Sequence, residues 1–103
     1  MRAPLAGLAV LLLSPASAAA PRTHVVVIDQ MKFGPVPAGI RPGDTILWVN
    51  RDTFRHTSTA RNGSFNVDLP PNSRAKTVIR AKGAVTFYCR YHPAMTGALT
   101  VSN

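Results

Sequence analysis

The sequence predicts an all-β fold, an antiparallel Greek-key β-sandwich, on three observations. Apolar residues come in short runs with no sustained helical spacing, Gly, Pro and Asn punctuate those runs every few residues, and the last long run alternates between two faces. Strands of this length and spacing bury enough surface only when two sheets stack face to face. The expected strands are Thr23 to Asp29, Ala38 to Arg41, Thr45 to Asn50, Thr57 to Ala60, Ser73 to Ala81, Val85 to Cys89 and Ala98 to Ser102. Between them lie Arg41-Pro42-Gly43-Asp44, Arg61-Asn62-Gly63-Ser64, Leu69-Pro70-Pro71-Asn72 and Lys82-Gly83, each with residues that suit turn geometry. Asn62-Gly63 reads first as a hairpin turn, although Asn62-Gly63-Ser64 also fits a glycosylation acceptor. Strand alternation puts Val85, Phe87 and Cys89 on one side and Thr86 and Tyr88 on the other, so Cys89 prolongs an inward apolar row. Trp48 shares its side with Ile46 and is expected in the core, together with Phe33, Phe65 and Phe87.

Residues 1–18 have the pattern of a cleaved signal peptide, not of the fold. Arg2 provides a short positive region, Leu5 to Leu13 an apolar stretch too short to span a bilayer, and Ala16-Ser17-Ala18 a small-residue cleavage site, with cleavage after Ala19 as the alternative. Export to the periplasm is the implied destination. Removing 18 residues from the 103-residue chain leaves one 85-residue domain, 19–103, with a modest core and no integral membrane segment. A single cysteine forms no disulfide within the chain, so an unpaired thiol in an oxidising compartment requires protection, which a bound metal provides. Eleven Lys and Arg against four Asp leave the mature domain near +7. With export and no base-stacking array, nucleic acid is excluded as the partner, and an acidic redox protein or an anionic membrane surface fits the charge.

The chemistry is concentrated in Cys89-Arg90-Tyr91-His92-Pro93-Ala94-Met95, directly after a strand. Thiolate, imidazole and thioether are donors that copper accepts as both Cu(I) and Cu(II), the thioether serving as the long axial ligand. A second imidazole comes from His56, in the polar loop after Thr45 to Val49. Each residue alone is commonplace, but the Cys-x-x-His-x-x-Met spacing at a strand end with an upstream His is a specific pattern for one copper ion held by His56, Cys89, His92 and Met95. His24 is read as a surface or strand-end residue. Four protein ligands leave no open position for a substrate, and the chain has no Glu, so an enzyme is not expected.

The stretch from Val25 to Val101 resembles the cupredoxins, and its short ligand loop is most similar to that of amicyanin, with wider likeness to plastocyanin and pseudoazurin. Met31-Lys32-Phe33-Gly34-Pro35, Pro42-Gly43-Asp44-Thr45-Ile46-Leu47-Trp48-Val49-Asn50 and Gly97-Ala98-Leu99-Thr100-Val101 extend the resemblance over the whole domain. It implies a monomeric blue copper protein that shuttles one electron, with His92 as the electron port. By analogy it takes electrons from a periplasmic dehydrogenase and gives them to a c-type cytochrome. Arg51, Arg55 and Arg90 would steer acidic docking surfaces. The alternative function is a periplasmic copper carrier or copper-resistance protein. Three finer expectations follow: the Thr57 amide donates to the Cys89 sulfur, Asn50 orients His56, and Tyr91, where the family often has Pro, adds a second N–H to that sulfur.

Overall fold

The computed structural model describes Gly7 and residues 20–103; the leader expected at 1–18 lies otherwise outside the described residues. Eight strands form, β1 (Thr23–Asp29), β2 (Lys32–Phe33), β3 (Thr45–Asn50), β4 (His56–Ala60), β5 (Asn66–Leu69), β6 (Arg74–Val78), β7 (Gly83–Tyr88) and β8 (Thr96–Val101). They make two four-stranded sheets, ordered β2-β1-β3-β6 and β5-β4-β7-β8. The sandwich read from the sequence is therefore present, with no helix among the described residues.

Several details depart from the expected elements. The first sheet is mixed: β1 and β3 run parallel, Val26 beside Trp48 and Ile28 beside Asn50, while the other ladders are antiparallel. Ala38 to Arg41 is no strand. Only Ile40 bridges Val101, because the prolines and Gly39 around it leave too few consecutive amides to build a ladder. Two strands were not legible. β2 is two residues long, and β5 carries Asn and Asp, which disfavour strands on their own and pair here because the turn after Ala60 folds them back onto β4. In that turn Gly63 has φ 80° and the Asn62 side chain accepts the Ser64 amide, so Asn62-Gly63 does mark a hairpin.

The core lies between the sheets. Val26, Ile28, Ile46 and Trp48 face Leu69, Phe87, Leu99 and Val101, all essentially inaccessible. Trp48 meets Phe87 edge-on at 5.2 Å and Phe65 at 5.7 Å, with Phe33 closing on Phe87 at 4.8 Å. Its indole N–H donates to Thr77 Oγ1 at 3.1 Å, so the one polar atom of this large side chain is satisfied. Gly97 lies opposite Phe87, and any Cβ there would run into the ring. This aromatic block fixes the inner row of β7 and so aims Cys89 at one end of the sandwich.

Candidate metal centre

β7 carries Phe87 inward, and two residues later Cys89 is fully buried at the end of the same row. The chain then turns at once. The Met95 amide donates to the His92 carbonyl at 2.8 Å and the Cys89 amide to the Met95 carbonyl at 3.1 Å, closing the seven-residue loop before β8 begins. Met95 is buried in this loop and His92 is half-buried at its tip.

The remaining histidine comes from the neighbouring strand. His56 opens β4 opposite Leu69 and is fully buried. Cys89 Sγ lies 3.7 Å from His56 Nδ1 and 3.7 Å from His92 Nδ1, and the three donor atoms all fall within 4.8 Å of one another. The two imidazoles meet edge to face, centroids 5.0 Å apart. As expected, the Thr57 amide donates to Cys89 Sγ, at 3.4 Å, and the Arg90 amide donates to Thr57 Oγ1 at 2.9 Å. The two segments are thus tied to each other by a backbone amide of each donating to a side chain of the other.

Two expectations need correction. Tyr91 gives no N–H to the sulfur; the Cys89 and Met95 amides close the loop on itself, that of Arg90 goes to Thr57, and the one N–H on the sulfur is that of Thr57. Nor does Asn50 hydrogen-bond to His56. Its amide nitrogen donates to the carbonyls of Phe54, Leu69 and Pro70, and its oxygen accepts the Asp52 amide at 2.9 Å. The group on His56 is Asp52, whose Oδ2 is 2.7 Å from Nε2. This bond holds the proton on Nε2 and leaves the Nδ1 lone pair directed toward the sulfur. Asp52 also accepts the amides of Gln30 at 2.8 Å and Met31 at 3.0 Å. Burial opposes its ionisation, but the Met31 N–H, the His56 imidazole and the Gln30 N–H together hold its carboxyl below the usual range. Gln30 and Met31 have φ of 51° and 60°, a left-handed pair that costs about 1–2 kcal/mol per residue in a non-glycine turn. Asp52 therefore stabilises a strained β1–β2 turn and orients His56 with one carboxylate. The only sequence signal for it was its place four residues before a histidine, which has meaning only once the loop is known to fold back.

At the surface, Phe54 and Tyr91 are 58% and 51% exposed, the Phe54 ring standing edge-on to His92 at 6.3 Å. Phe54 was not foreseen in this rim. Arg51, Arg55 and Arg90 are all exposed here, but Arg55 pairs with Asp68 at 3.6 Å and Arg90 lies over the Tyr91 ring at 5.8 Å.

The donors suit a soft to borderline transition metal. A thiolate with a backbone N–H on it and two imidazoles, one with its proton fixed on the far nitrogen, match the donors copper takes. Spacings of 3.7 Å are what ligands at roughly 2.0 Å for nitrogen and 2.3 Å for sulfur, as measured for zinc, span across one metal. Fold and site together define an all-β copper protein of the electron-transfer class. The comparisons agree: the Cupredoxin-like domain family matches residues 3–101, and the chain belongs to that family. It is similar to the amicyanin of Paracoccus versutus, 28% identical over 93 residues covering 84% of this chain and 70% of the relative. It is similar also to the plastocyanin of Nostoc punctiforme, 32% identical over 90 residues covering 69% of this chain and 65% of the relative. Among solved structures, a purple cupredoxin from Nitrosopumilus maritimus superposes with TM-score 0.65 at 27% identity, covering 76% of this chain and 98% of the other. The Cu(I) form of an amicyanin variant gives 0.64 at 25%, covering 84% and 88%.

Proposed function

We propose that this protein is a periplasmic one-electron shuttle in which His56, Cys89, His92 and Met95 hold one copper ion. The observation that carries the reading is the convergence of Cys89 Sγ with the Nδ1 atoms of His56 and His92 at 3.7 Å each, from two segments locked together by the Thr57 and Arg90 amides. Copper held there supplies one-electron chemistry between Cu(I) and Cu(II). The chain supplies a site that does not rearrange. Cys89 is fixed by its strand and by the Thr57 N–H, His56 by Asp52, and Met95 by the closed loop. Burial of Cys89, His56 and Met95 excludes water, while the half-buried His92, rimmed by exposed Phe54, Tyr91, Pro93 and Ala94, provides the route by which an electron enters or leaves. Partners are redox proteins, in this reading a dehydrogenase and a c-type cytochrome, met through the apolar rim and drawn in by the surrounding arginines. The leader at 1–18 delivers the domain 19–103 to the periplasm.

The test is optical. The purified protein loaded with Cu(II) is expected to be intensely coloured through thiolate charge transfer, and Cys89→Ser to lose the colour while keeping its fold by circular dichroism. A colourless wild-type complex, with copper affinity unchanged in Cys89→Ser, would overturn the assignment.

A further inference from the structure

The two outer faces of the sandwich are chemically unlike. On the outside of the β5-β4-β7-β8 sheet, Thr59, Thr86, Thr96 and Thr100 stand with Asn66 and Asp68, beside the small Ala84 and Ala98 and a Tyr88 ring covered by Arg61, so that no large aliphatic side chain is presented there. The outside of the other sheet carries aliphatic side chains in three adjoining cross-strand rows. Val27 pairs with Val49, Val25 with Leu47, and Val78 faces Thr45. Val25 and Val78 are 46% and 48% exposed, so of the four large apolar side chains well exposed among the described residues, two lie here and two at the metal end. The parallel β1–β3 pair shows why this is unusual. Runs such as Val25-Val26-Val27-Ile28 and Ile46-Leu47-Trp48-Val49 are apolar on both sides, the pattern of strands covered on both faces, yet only the inner face is covered by a strand.

We propose that this face rests on an anionic lipid surface. Arg74 and Lys76 extend the valine and leucine rows on β6, in register with Val49 and Leu47, and are exposed without a carboxylate partner among the described residues. Of the four acids, Asp44 and Asp52 are buried and Asp68 is on the opposite sheet paired with Arg55; Asp29, exposed on this same outer face one step past Val27, stands in register with Lys32 on β2. A flat aliphatic centre edged by cations matches headgroup phosphates above acyl chains. A second copy seated on this face would bring the like charges of Arg74 and Lys76 together. Both β1 and β3 run toward the metal end, so a domain lying on this face leaves His92 free at one side to meet partners on the same membrane.

The domain 19–103, which carries all eight strands and the described core, is mixed with vesicles of phosphatidylcholine alone or with phosphatidylglycerol and sedimented. It is expected to pellet only with the anionic vesicles, and the full chain to keep the same ranking of variants. Val25→Thr with Val78→Thr, which keeps β-forming residues, should lower partitioning about tenfold. Arg74→Gln with Lys76→Gln should lower it on the order of tenfold or more. Thr86→Ser with Thr100→Ser on the opposite sheet should leave it unchanged, with circular dichroism and thermal midpoints confirming that each variant is folded. Equal binding to both vesicles, or binding indifferent to the valine pair, overturns the proposal. So does a concentration-dependent dimer that the valine pair abolishes, since that assigns the face to a second copy.

Discussion

The two ends of β3 carry the same device and do different things with it. At one end Asp44 accepts the amides of Arg22 and Arg41, both at 2.9 Å, and the Nε2 of His24 at 2.8 Å. At the other, some 20 Å along a strand of six residues, Asp52 accepts the amides of Gln30 and Met31 and the Nε2 of His56. Each is a buried carboxylate holding two backbone donors and one imidazole. The difference is what the second ring nitrogen meets. His56 Nδ1 faces a thiol and another imidazole, whereas no comparable donor group forms around His24 among the described residues. A histidine on a buried carboxylate is thus a structural clamp by default, and convergent soft donors fit it for the proposed role of metal ligand. The far clamp ties the start of β1 to the turn before β3; the near one ties His56, beside the thiol, to a strained turn.

If that contrast is right, the largest effect belongs to Asp52→Asn. Replacing one acceptor oxygen by an NH2 group leaves donors facing donors, which should cost about 2–3 kcal/mol of stability and lower copper affinity about 10–100-fold. Asp44→Asn should disturb stability while leaving the copper spectrum and affinity as in wild type. Metal titration with parallel urea melts decides this, and equal loss of copper affinity in the two variants would erase the distinction between the ends.

The next effect is on acid stability. The Arg22 N–H, the His24 imidazole and the Arg41 N–H hold the Asp44 carboxyl down at about 2 from its ordinary 3.8. A carboxylate with a lowered pKa contributes stability that is present above the ordinary value and is lost as pH falls through the lowered one. The protein should therefore weaken between about pH 4 and pH 2, and Asp44→Asn should flatten that part of the profile. Asp52 acts in the same direction, so some acid dependence should survive in Asp44→Asn. Thermal midpoints across this range are the measurement, and an unchanged acid limb in Asp44→Asn would show that the far clamp carries no linkage.

The smallest effect sharpens the comparison at the near end alone. Gln30→Asn with Met31→Gly places residues suited to positive φ in the β1–β2 turn and should raise stability by about 1 kcal/mol. No counterpart exists at the far end, where Gly43, with φ 94°, already occupies the left-handed position. A loss of stability in the double variant would mean that the Gln30 and Met31 side chains contribute more by packing than their backbone costs.

What the sequence determined by itself was whatever depends on local order. Period-two alternation placed Cys89 on the inward row with Phe87, and turn residues placed His92 and Met95 a few positions beyond it. The spacing of unlike soft donors pointed to copper, in agreement with the cupredoxin-like family to which the chain belongs. β1 and β3 were legible to the residue because their β-branched and aromatic runs are long and bounded by turn signals. Only the tertiary structure decided which strands became neighbours. β1 pairs with β3 in parallel, β5 forms because the turn after Ala60 returns it to β4, and Asn50 serves the loop carbonyls while Asp52 takes His56. The Tyr91 amide was misjudged for the same reason: chain distance says that a donor is near the sulfur, but its direction is set by how the loop closes. The hydrophobic pattern along a strand is a one-dimensional signal, whereas the partner of a buried polar group is whichever acceptor the packing of distant segments brings within about 3 Å.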